Sequence, residues 1–254
     1  MRAGGRWATV ATLGASTAWG CVASLTTEAG RALEAGGDPA PVVAELTAIH
    51  DAIDRTKRIF DVTLVEGNRR FQGEGALSYR ARPLAARGDV FGPQSTPVLR
   101  FALFGDTLTV VLPREGEILR GLLGDPRFAE LTGERALVTP EVLGALLGAY
   151  DVRRLMERSD RVASATHDDL RTLYIWETGA LHALTVRAGR LVEYRQATGG
   201  ELAYRVEFEE FAPVDGRESP RRVVVRDFAR DRWLVLEVSR EHEEVEDAAF
   251  LPLP

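Results

Sequence analysis

The sequence predicts an α+β fold in which a curved antiparallel sheet encloses helices. Two long segments, Ile59–Gly121 and Val162–Arg240, have the two-residue alternation of β-strands. The segment between them, Gly121–Ser159, has instead the cap-then-proline starts and the apolar spacing of short helices. We therefore expect a helical insertion at residues 121–159 that buries its apolar stripe against the sheet.

Composition is that of an ordinary globular protein and excludes several functional classes. The chain has 254 residues and a net charge of −6, and residues 1–20 hold two arginines and no acid, which leaves −8 for the rest. An acidic chain without a basic stripe is not expected to bind nucleic acid. Cys21 is the single cysteine, so an internal disulfide and a cysteine-type zinc site are both excluded. We expect one domain over residues 38–254.

Residues 1–20 have the features of a signal peptide. Arg2 and Arg6 provide the positive start, Trp7–Ala18 is uncharged and mostly apolar, and small residues flank Trp19. The apolar part is shorter than the about 20 residues that a membrane-spanning helix needs. The sequence thus predicts an exported protein.

Cys21 follows the predicted cleavage site, and Ala18-Trp19-Gly20-Cys21 resembles the bacterial lipobox. The resemblance implies lipidation of Cys21 and a membrane anchor, and the absence of Asp after the cysteine resembles an outer-membrane address. The alternative is plain cleavage after Gly20, which leaves a free thiol. Residues 21–37 are predicted to be a flexible tether, since Leu25–Gly37 is small and polar.

An N-terminal helix is predicted after the tether. Asp38-Pro39 is a typical helix start. Apolar residues then follow at helical spacing through Thr56, which predicts one helix of about five turns that lies on the sheet. His50 borders this stripe and is interpreted as structural.

The strands show clear alternation and tight turns. In Arg70–Arg80 apolar residues and two glycines alternate with polar ones, which predicts a strongly bent strand. Gly105-Asp106 is a two-residue hairpin turn between Pro97–Phe104 and Thr107–Leu112. Beyond Ser159, evenly spaced turns predict a meander of antiparallel strands.

Four short stretches carry a family resemblance: Phe91-Gly92-Pro93 through Pro97-Val98-Leu99, Phe104-Gly105-Asp106-Thr107-Leu108, Leu112-Pro113-Arg114 and Phe250–Pro254. They resemble the LolA/LolB-like lipoprotein-carrier superfamily, in particular its uncharacterised bacterial lipoproteins. The resemblance implies a half-closed antiparallel barrel of about eleven strands, plugged by helices on its concave side. It also implies that the concave face holds acyl chains of lipids or lipoproteins.

Large apolar side chains of the strands and of the insertion are the candidate cavity lining. Core packing is the alternative explanation for each of them, because a buried stripe is needed in either case. The candidates are Leu99, Phe101, Leu103, Leu143, Leu147, Tyr150, Tyr174, Trp176, Leu184 and Tyr194.

Catalytic and metal-binding motifs are not found in the sequence. It has no phosphate loop, no Gly-x-Ser-x-Gly and no His-Glu-x-x-His. His167-Asp168-Asp169 is interpreted as a solvated turn rather than a metal cluster. We therefore expect neither an enzyme nor a cofactor or metal.

The leading functional hypothesis is an outer-membrane lipoprotein, on the periplasmic face, that binds acyl chains of lipids or lipoproteins for localisation or transfer. Its expected partners are this cargo and the membrane, through the lipid anchor at Cys21. The alternative hypothesis is an envelope sensor or assembly partner that uses the same fold to bind proteins.

Overall fold

The computed structural model describes residues 22–122, 125, 128, 140–250 and 253. In this part of the chain, one antiparallel sheet is combined with four α-helices. The helices are α1 (Val22–Ala35), α2 (Ala40–Asp51), α3 (Pro140–Leu147) and α4 (Val152–Glu157). The strands are β1 (Arg55–Glu66), β2 (Arg69–Arg80), β3 (Ala85–Phe91), β4 (Pro97–Phe104), β5 (Thr107–Leu112), β6 (Glu117–Leu122), β7 (Ser159–His167), β8 (Leu170–Glu177), β9 (Ala180–Arg187), β10 (Arg190–Thr198), β11 (Glu201–Val214), β12 (Arg217–Asp227) and β13 (Arg232–His242).

The sheet consists of two meanders joined in the middle. Its strand order is β6-β5-β4-β3-β2-β1-β13-β12-β11-β10-β9-β8-β7, so the first and last strands pair with each other. The outermost strands are β6 and β7, which are the two strands that the insertion connects. The insertion must therefore cross from one edge of the curved sheet to the other.

This architecture confirms the predicted α+β fold, a curved open antiparallel sheet with helices on its concave side. The sheet has thirteen strands rather than about eleven. One strand without a sequence signal is β3, whose sequence Ala-Ala-Arg-Gly-Asp-Val-Phe has little apolar alternation. Its place is fixed by pairing with β2 and β4.

The main core lies between the concave face and helices α2, α3 and α4. In β1 the inward positions Phe60, Val62 and Leu64 are buried, while their outward neighbours are more exposed. Gly75 of β2 lies beneath the Phe60 ring, where a Cβ atom would approach the ring to 2.4 Å. Glycine is thus required at this position of the predicted bent strand.

The predicted flexible tether is wrong, because residues 22–35 form α1, which packs on the opposite, convex face. Leu25, Ala29 and Ala32 of α1 are buried against strands β7–β10, with Ala183 of β9 among their partners. The sequence signal is weak because alanine contributes little hydrophobicity, although it is the best helix former.

After α1 the chain passes around the edge strand β7 to the concave side. The Ser164 hydroxyl of β7 donates a hydrogen bond to the Asp38 carbonyl oxygen at 2.9 Å. A Cβ atom on Gly37 would come within 2.7 Å of the Ser164 carbonyl oxygen, so only glycine permits this close passage. α2 then lies on the concave face with Val42 and Leu46 in the main core.

The N-terminal helix is shorter than the predicted five turns. α2 ends at Asp51 and β1 begins at Arg55. Ile53 and Thr56 continue the helical spacing, but from Thr56 onward buried residues alternate at every second position, as strand pairing with β2 and β13 requires.

The insertion is helical in its described part. α3 begins at Pro140, as the proline predicts, and Asp151 caps α4 by accepting a hydrogen bond from the Arg154 backbone N–H. The predicted helix that starts at Asp125 lies mostly outside the described residues. α3 packs on β11 and β12, and α4 packs on β7, β8 and α2.

Candidate functional site: a cavity beneath the insertion

A cavity of about 1030 Å³ lies between the concave face and the insertion. Strands β2–β4 and β8–β10 contribute to its lining, together with α3, α4 and the segment between them. Most of the lining side chains are apolar. The lining residues are His50, Leu77, Tyr79, Ala81, Leu84, Ala86, Leu103, Asp106, Leu122, Asp125, Leu143, Gly144, Leu147, Ala149, Tyr150, Asp151, Arg154, Leu155, Arg158, Glu177, His182, Tyr194 and Gln196.

Five of the ten predicted cavity residues line this space and five do not. Those in the lining are Leu103, Leu143, Leu147, Tyr150 and Tyr194.

The other five candidates lie elsewhere in the fold. Leu99, Phe101 and Leu184 are buried in the main core and do not border the cavity. Tyr174 and Trp176 belong to the cluster beneath α1, on the convex face. Cys21, the candidate lipidation site, lies outside the described residues.

An aromatic stack closes one side of the cavity. The Tyr150 ring is stacked on the Tyr194 ring, with their centroids 4.2 Å apart, and meets Phe208 edge-on at 6.4 Å. Gly144 of α3 makes room for this stack, because a Cβ atom there would lie 2.2 Å from the Tyr150 ring. The segment after α3 is thereby tied to strands β10 and β11.

Four polar side chains form a hydrogen-bonded chain within the lining. His182 Nε2 lies 3.2 Å from Glu177 Oε2, and His182 Nδ1 lies 3.0 Å from the Tyr194 hydroxyl. That hydroxyl is also 3.1 Å from Gln196 Oε1. Burial lowers the pKa of His182 below its usual value of 6.5, against the opposing effect of the Glu177 carboxylate. Burial thus favours the neutral form of the imidazole.

Ion pairs hold α4 in place at the rim of the cavity. Arg154 pairs with Asp106 in the β4–β5 turn at 2.6 Å, and Arg153 pairs with Asp51 at the end of α2. Arg158 lies 3.9 Å from Glu177. These contacts connect α4 to both halves of the sheet and to α2.

A buried charged network connects α3 to the centre of the sheet. The Arg58 side chain, which is 1% exposed, donates hydrogen bonds to the Leu146 carbonyl oxygen of α3 and to the Ser219 hydroxyl, and it pairs with Glu241 at 2.9 Å. Arg217 also pairs with Glu241. Burial favours a raised pKa for Glu241, but Arg58, Ser219 and Arg217 outweigh it and lower the pKa to about 2. The carboxylate is therefore ionised at all ordinary pH values.

Sequence reasoning identified Tyr194 but missed the other polar members of the site. Arg58 alternates with Phe60 and Val62 on the inward side of β1, and His182 alternates with Leu184 on β9. A polar residue at an inward strand position is the signal that could have identified both. Their partners come from other strands and cannot be paired from one sequence.

The described residues contain no group of three His, Cys, Asp or Glu side chains that could hold a metal ion. His167 and Asp168 lie in the β7–β8 turn with side chains 89% and 84% exposed. Over the same residues, no helix has the length and apolar character needed to cross a membrane.

Comparison with known proteins identifies the fold through structures alone. No protein-family model matches the chain, and no curated protein matches its sequence. A putative outer membrane lipoprotein-sorting protein domain from Vibrio parahaemolyticus has a TM-score of 0.64 at 13% identity, over 87% of this chain and 97% of the other. A DUF1329 family protein from Desulfovibrio piger has a TM-score of 0.61 at 14% identity, over 84% and 98%. A LolA superfamily protein from Nitrosomonas europaea has a TM-score of 0.58 at 14% identity, over 83% and 97%.

These likenesses span nearly the full length of each compared structure. They show that the chain has the LolA/LolB-like fold, which confirms the fold that the sequence resemblance implied. At 13–14% identity, they establish the fold and not a shared function.

Proposed function

We propose that this chain is an envelope protein that binds acyl chains of lipids or lipoproteins beneath its helical insertion. The cavity carries the proposal. Its volume of about 1030 Å³ is at the upper end of the range of about 300–1,000 Å³ for small-molecule sites, and its lining is mostly apolar. An acyl chain in such a space gains about 0.8 kcal/mol for each buried CH₂ group. Binding of this kind needs no catalytic group, so the proposal is a carrier or sensor and not an enzyme.

A location at the periplasmic face of the outer membrane is part of the proposal. It is supported by the signal-peptide features of residues 1–20, by the lipobox-like Cys21 and by the name of the structurally similar lipoprotein-sorting domain. Since α1 begins at Val22, a lipid on Cys21 would hold the domain close to the bilayer. Cys21→Ala should move the protein from the membrane fraction to the soluble fraction, whereas an unchanged membrane fraction would contradict the anchor.

Leu147→Glu is the direct test of the cavity. Leu147 is only partly buried at the core and lines the cavity, so a carboxylate there should disturb the ligand space more than the fold. Binding of N-phenylnaphthylamine, a neutral apolar fluorophore, should weaken at least about tenfold because a charge is placed in an apolar site. Leu143 is a poorer choice, since it is 7% exposed and its replacement would also damage the core.

Leu33→Glu is the matched control for this test. Leu33 is a leucine of α1 that is 39% exposed, and α1 lies on the convex face. This variant should bind the fluorophore like the wild type. If Leu147→Glu binds as tightly as Leu33→Glu and unfolds cooperatively, the proposed cavity function is wrong.

Protein binding at the edge of the sheet is a second candidate function. β6 is one of the two outermost strands, and its Ile118 and Leu122 are 57% and 65% exposed. An extended segment of another protein can add to such an edge by strand pairing. Ile118→Lys should then abolish capture of a stoichiometric envelope protein without changing fluorophore binding. If the variant still captures that protein, the β6 edge is not its binding site.

A further inference from the structure

The cavity is chemically two-sided. Its apolar strand residues, Leu77, Ala86 and Leu103, lie on β2–β4, where Tyr79 of β2 adds one hydroxyl. The hydrogen-bonded chain described above lies on β8–β10. In the sheet order, β1, β13, β12 and β11 separate these two parts. An amphiphile in the cavity can therefore place its chain against one part of the sheet and its head against the other.

The β8–β10 part offers both donors and acceptors. His182 lies between Glu177 Oε2, 3.2 Å from its Nε2, and the Tyr194 hydroxyl, 3.0 Å from its Nδ1. The Tyr194 hydroxyl donates a hydrogen bond to Gln196 Oε1, at 3.1 Å. The amide of Gln196 has a second polar atom to offer a ligand.

The charge of the lining favours a head group without negative charge. Among the described residues, the lining has four carboxylates and two guanidinium groups, which together carry a net charge of −2. Glu177 lies within the polar part itself, beside His182. A second anion there would be repelled by the Glu177 carboxylate, whose charge Arg158, 3.9 Å away and 55% exposed, offsets only in part. The charged lining residues are Asp106, Asp125, Asp151, Glu177, Arg154 and Arg158.

We propose that Glu177, His182, Tyr194 and Gln196 form a head-group site that selects acyl chains bearing an uncharged ester, amide or hydroxyl head. Free fatty-acid anions are disfavoured at this site. The inference rests on the proposed acyl-chain function and adds the chemical class of the cargo. It also orients the cargo, with its head at β8–β10.

Two ligands with the same chain test the selection. Hexadecanoic acid and its glycerol monoester are allowed to displace N-phenylnaphthylamine from the full chain, at a pH at which the acid is ionised. The monoester should bind about tenfold more tightly than the acid, because only the monoester satisfies the polar groups without adding a charge.

Two conservative variants locate the selection. Glu177→Gln keeps the side-chain shape and a hydrogen-bonding oxygen for His182 but removes the negative charge. It should therefore raise the affinity for the acid severalfold and reduce the ratio of the monoester affinity to the acid affinity. Gln196→Met should lower the affinity for the monoester severalfold and leave the fluorophore unaffected. Tyr194→Phe removes the partner of a buried histidine and is therefore less suited to this test.

Glu193→Gln is the matched control for Glu177→Gln. Glu193 is a glutamate of β10 that pairs with Arg195 and Arg205 outside the cavity lining, so this variant should keep the wild-type ratio. The head-group site is overturned if the wild type binds the two ligands equally or binds the acid more tightly. It is also overturned if the ratio of the two affinities is unchanged in both cavity variants. These results leave the acyl-chain proposal intact. If neither ligand displaces the fluorophore, both proposals are overturned.

Discussion

The two faces of strands β7–β10 are both covered by helices, but with different outcomes. On the convex face, the small residues Ala29 and Ala32 of α1 meet alanines of the sheet, which brings helix and sheet into direct contact. On the concave face, large side chains such as Leu147 and Tyr150 stand between the insertion and the strands, and a cavity of about 1030 Å³ lies among them. Side-chain size and sheet curvature thus decide whether a covered face is filled or leaves space for a ligand.

The polar contacts of the two faces differ as well. On the convex side, Glu28 of α1 pairs with Arg195, and the pairing continues through Glu193 and Arg205 to Glu207. These pairs are partly exposed, and such pairs contribute little to stability. The Arg58–Glu241 pair on the concave side is fully buried. Attachment of the insertion should therefore depend on few strong contacts.

The largest expected effect is that of Arg58→Met. This substitution leaves Glu241 buried with one cationic partner and removes the hydrogen bond to the Leu146 carbonyl oxygen of α3. Loss of one partner of a buried pair should lower the free energy of unfolding by about 3–5 kcal/mol. The change is measured by urea denaturation.

Arg55→Met is the control on the same strand. Arg55 pairs with the exposed Asp247, and its own side chain is 39% exposed. Its loss should cost less than about 1 kcal/mol. Similar losses in the two variants would contradict the special role of the buried pair.

The next effect is a loss of stability in acid. The pKa of Glu241 is about 2 in the folded protein, against 4.5 for a free glutamate. A lowered pKa stabilises the fold above the unfolded value, and this contribution disappears as pH falls from about 4.5 toward 2. It amounts to about 3 kcal/mol. Unfolding free energies over this pH interval should fall more steeply for the wild type than for Glu241→Gln, and parallel curves would refute the assignment.

A smaller effect distinguishes the convex face, which α1 fills, from the concave face, which leaves a cavity. Ala29→Leu overfills the contact between α1 and the sheet, and should cost about 1–3 kcal/mol of stability without changing fluorophore affinity. Ala86→Leu introduces the same side chain into the cavity lining. It should cost less stability but lower the affinity, as measured by fluorescence titration. The opposite pattern would show that the cavity is not the binding space.

The smallest expected effect concerns the convex charge pairs. Glu28→Gln removes the partner that Arg195 has on α1, a carboxylate that is 38% exposed. The unfolding free energy should change by less than about 1 kcal/mol, and by less still in high salt. A loss as large as that of Arg58→Met would mean that α1 is held by charge rather than by its alanine contacts.

Local signals were sufficient to predict much of the strand pattern. The strands Pro97–Phe104 and Thr107–Leu112 have the predicted bounds, because the turn at Gly105-Asp106 needs a glycine with positive φ, here 54°. α1 could not be predicted in the same way, since Ala29 and Ala32 have no apolar signal comparable to leucine. The pairing of Arg58 with Glu241 depends on β1 lying beside β13, which is a property of the whole fold.

Only part of the cavity lining could be predicted, for a similar reason. Tyr174 and Trp176 alternate with Leu173 and Ile175 on β8, so both faces of this strand are apolar. The sequence of such a strand does not show which side faces the cavity, because α1 covers one side and the core covers the other. Which residues border the cavity is decided by the distance of the insertion from the sheet.

The central claim is that the concave cavity carries an acyl cargo. Native mass spectrometry of the full protein, extracted from its own membranes, tests it most directly when the wild type, Leu147→Glu and Leu33→Glu are compared. We expect a bound lipid or acylated molecule on the wild type and on Leu33→Glu, and its loss from Leu147→Glu. An empty wild-type protein, or equal cargo on all three, would contradict the claim.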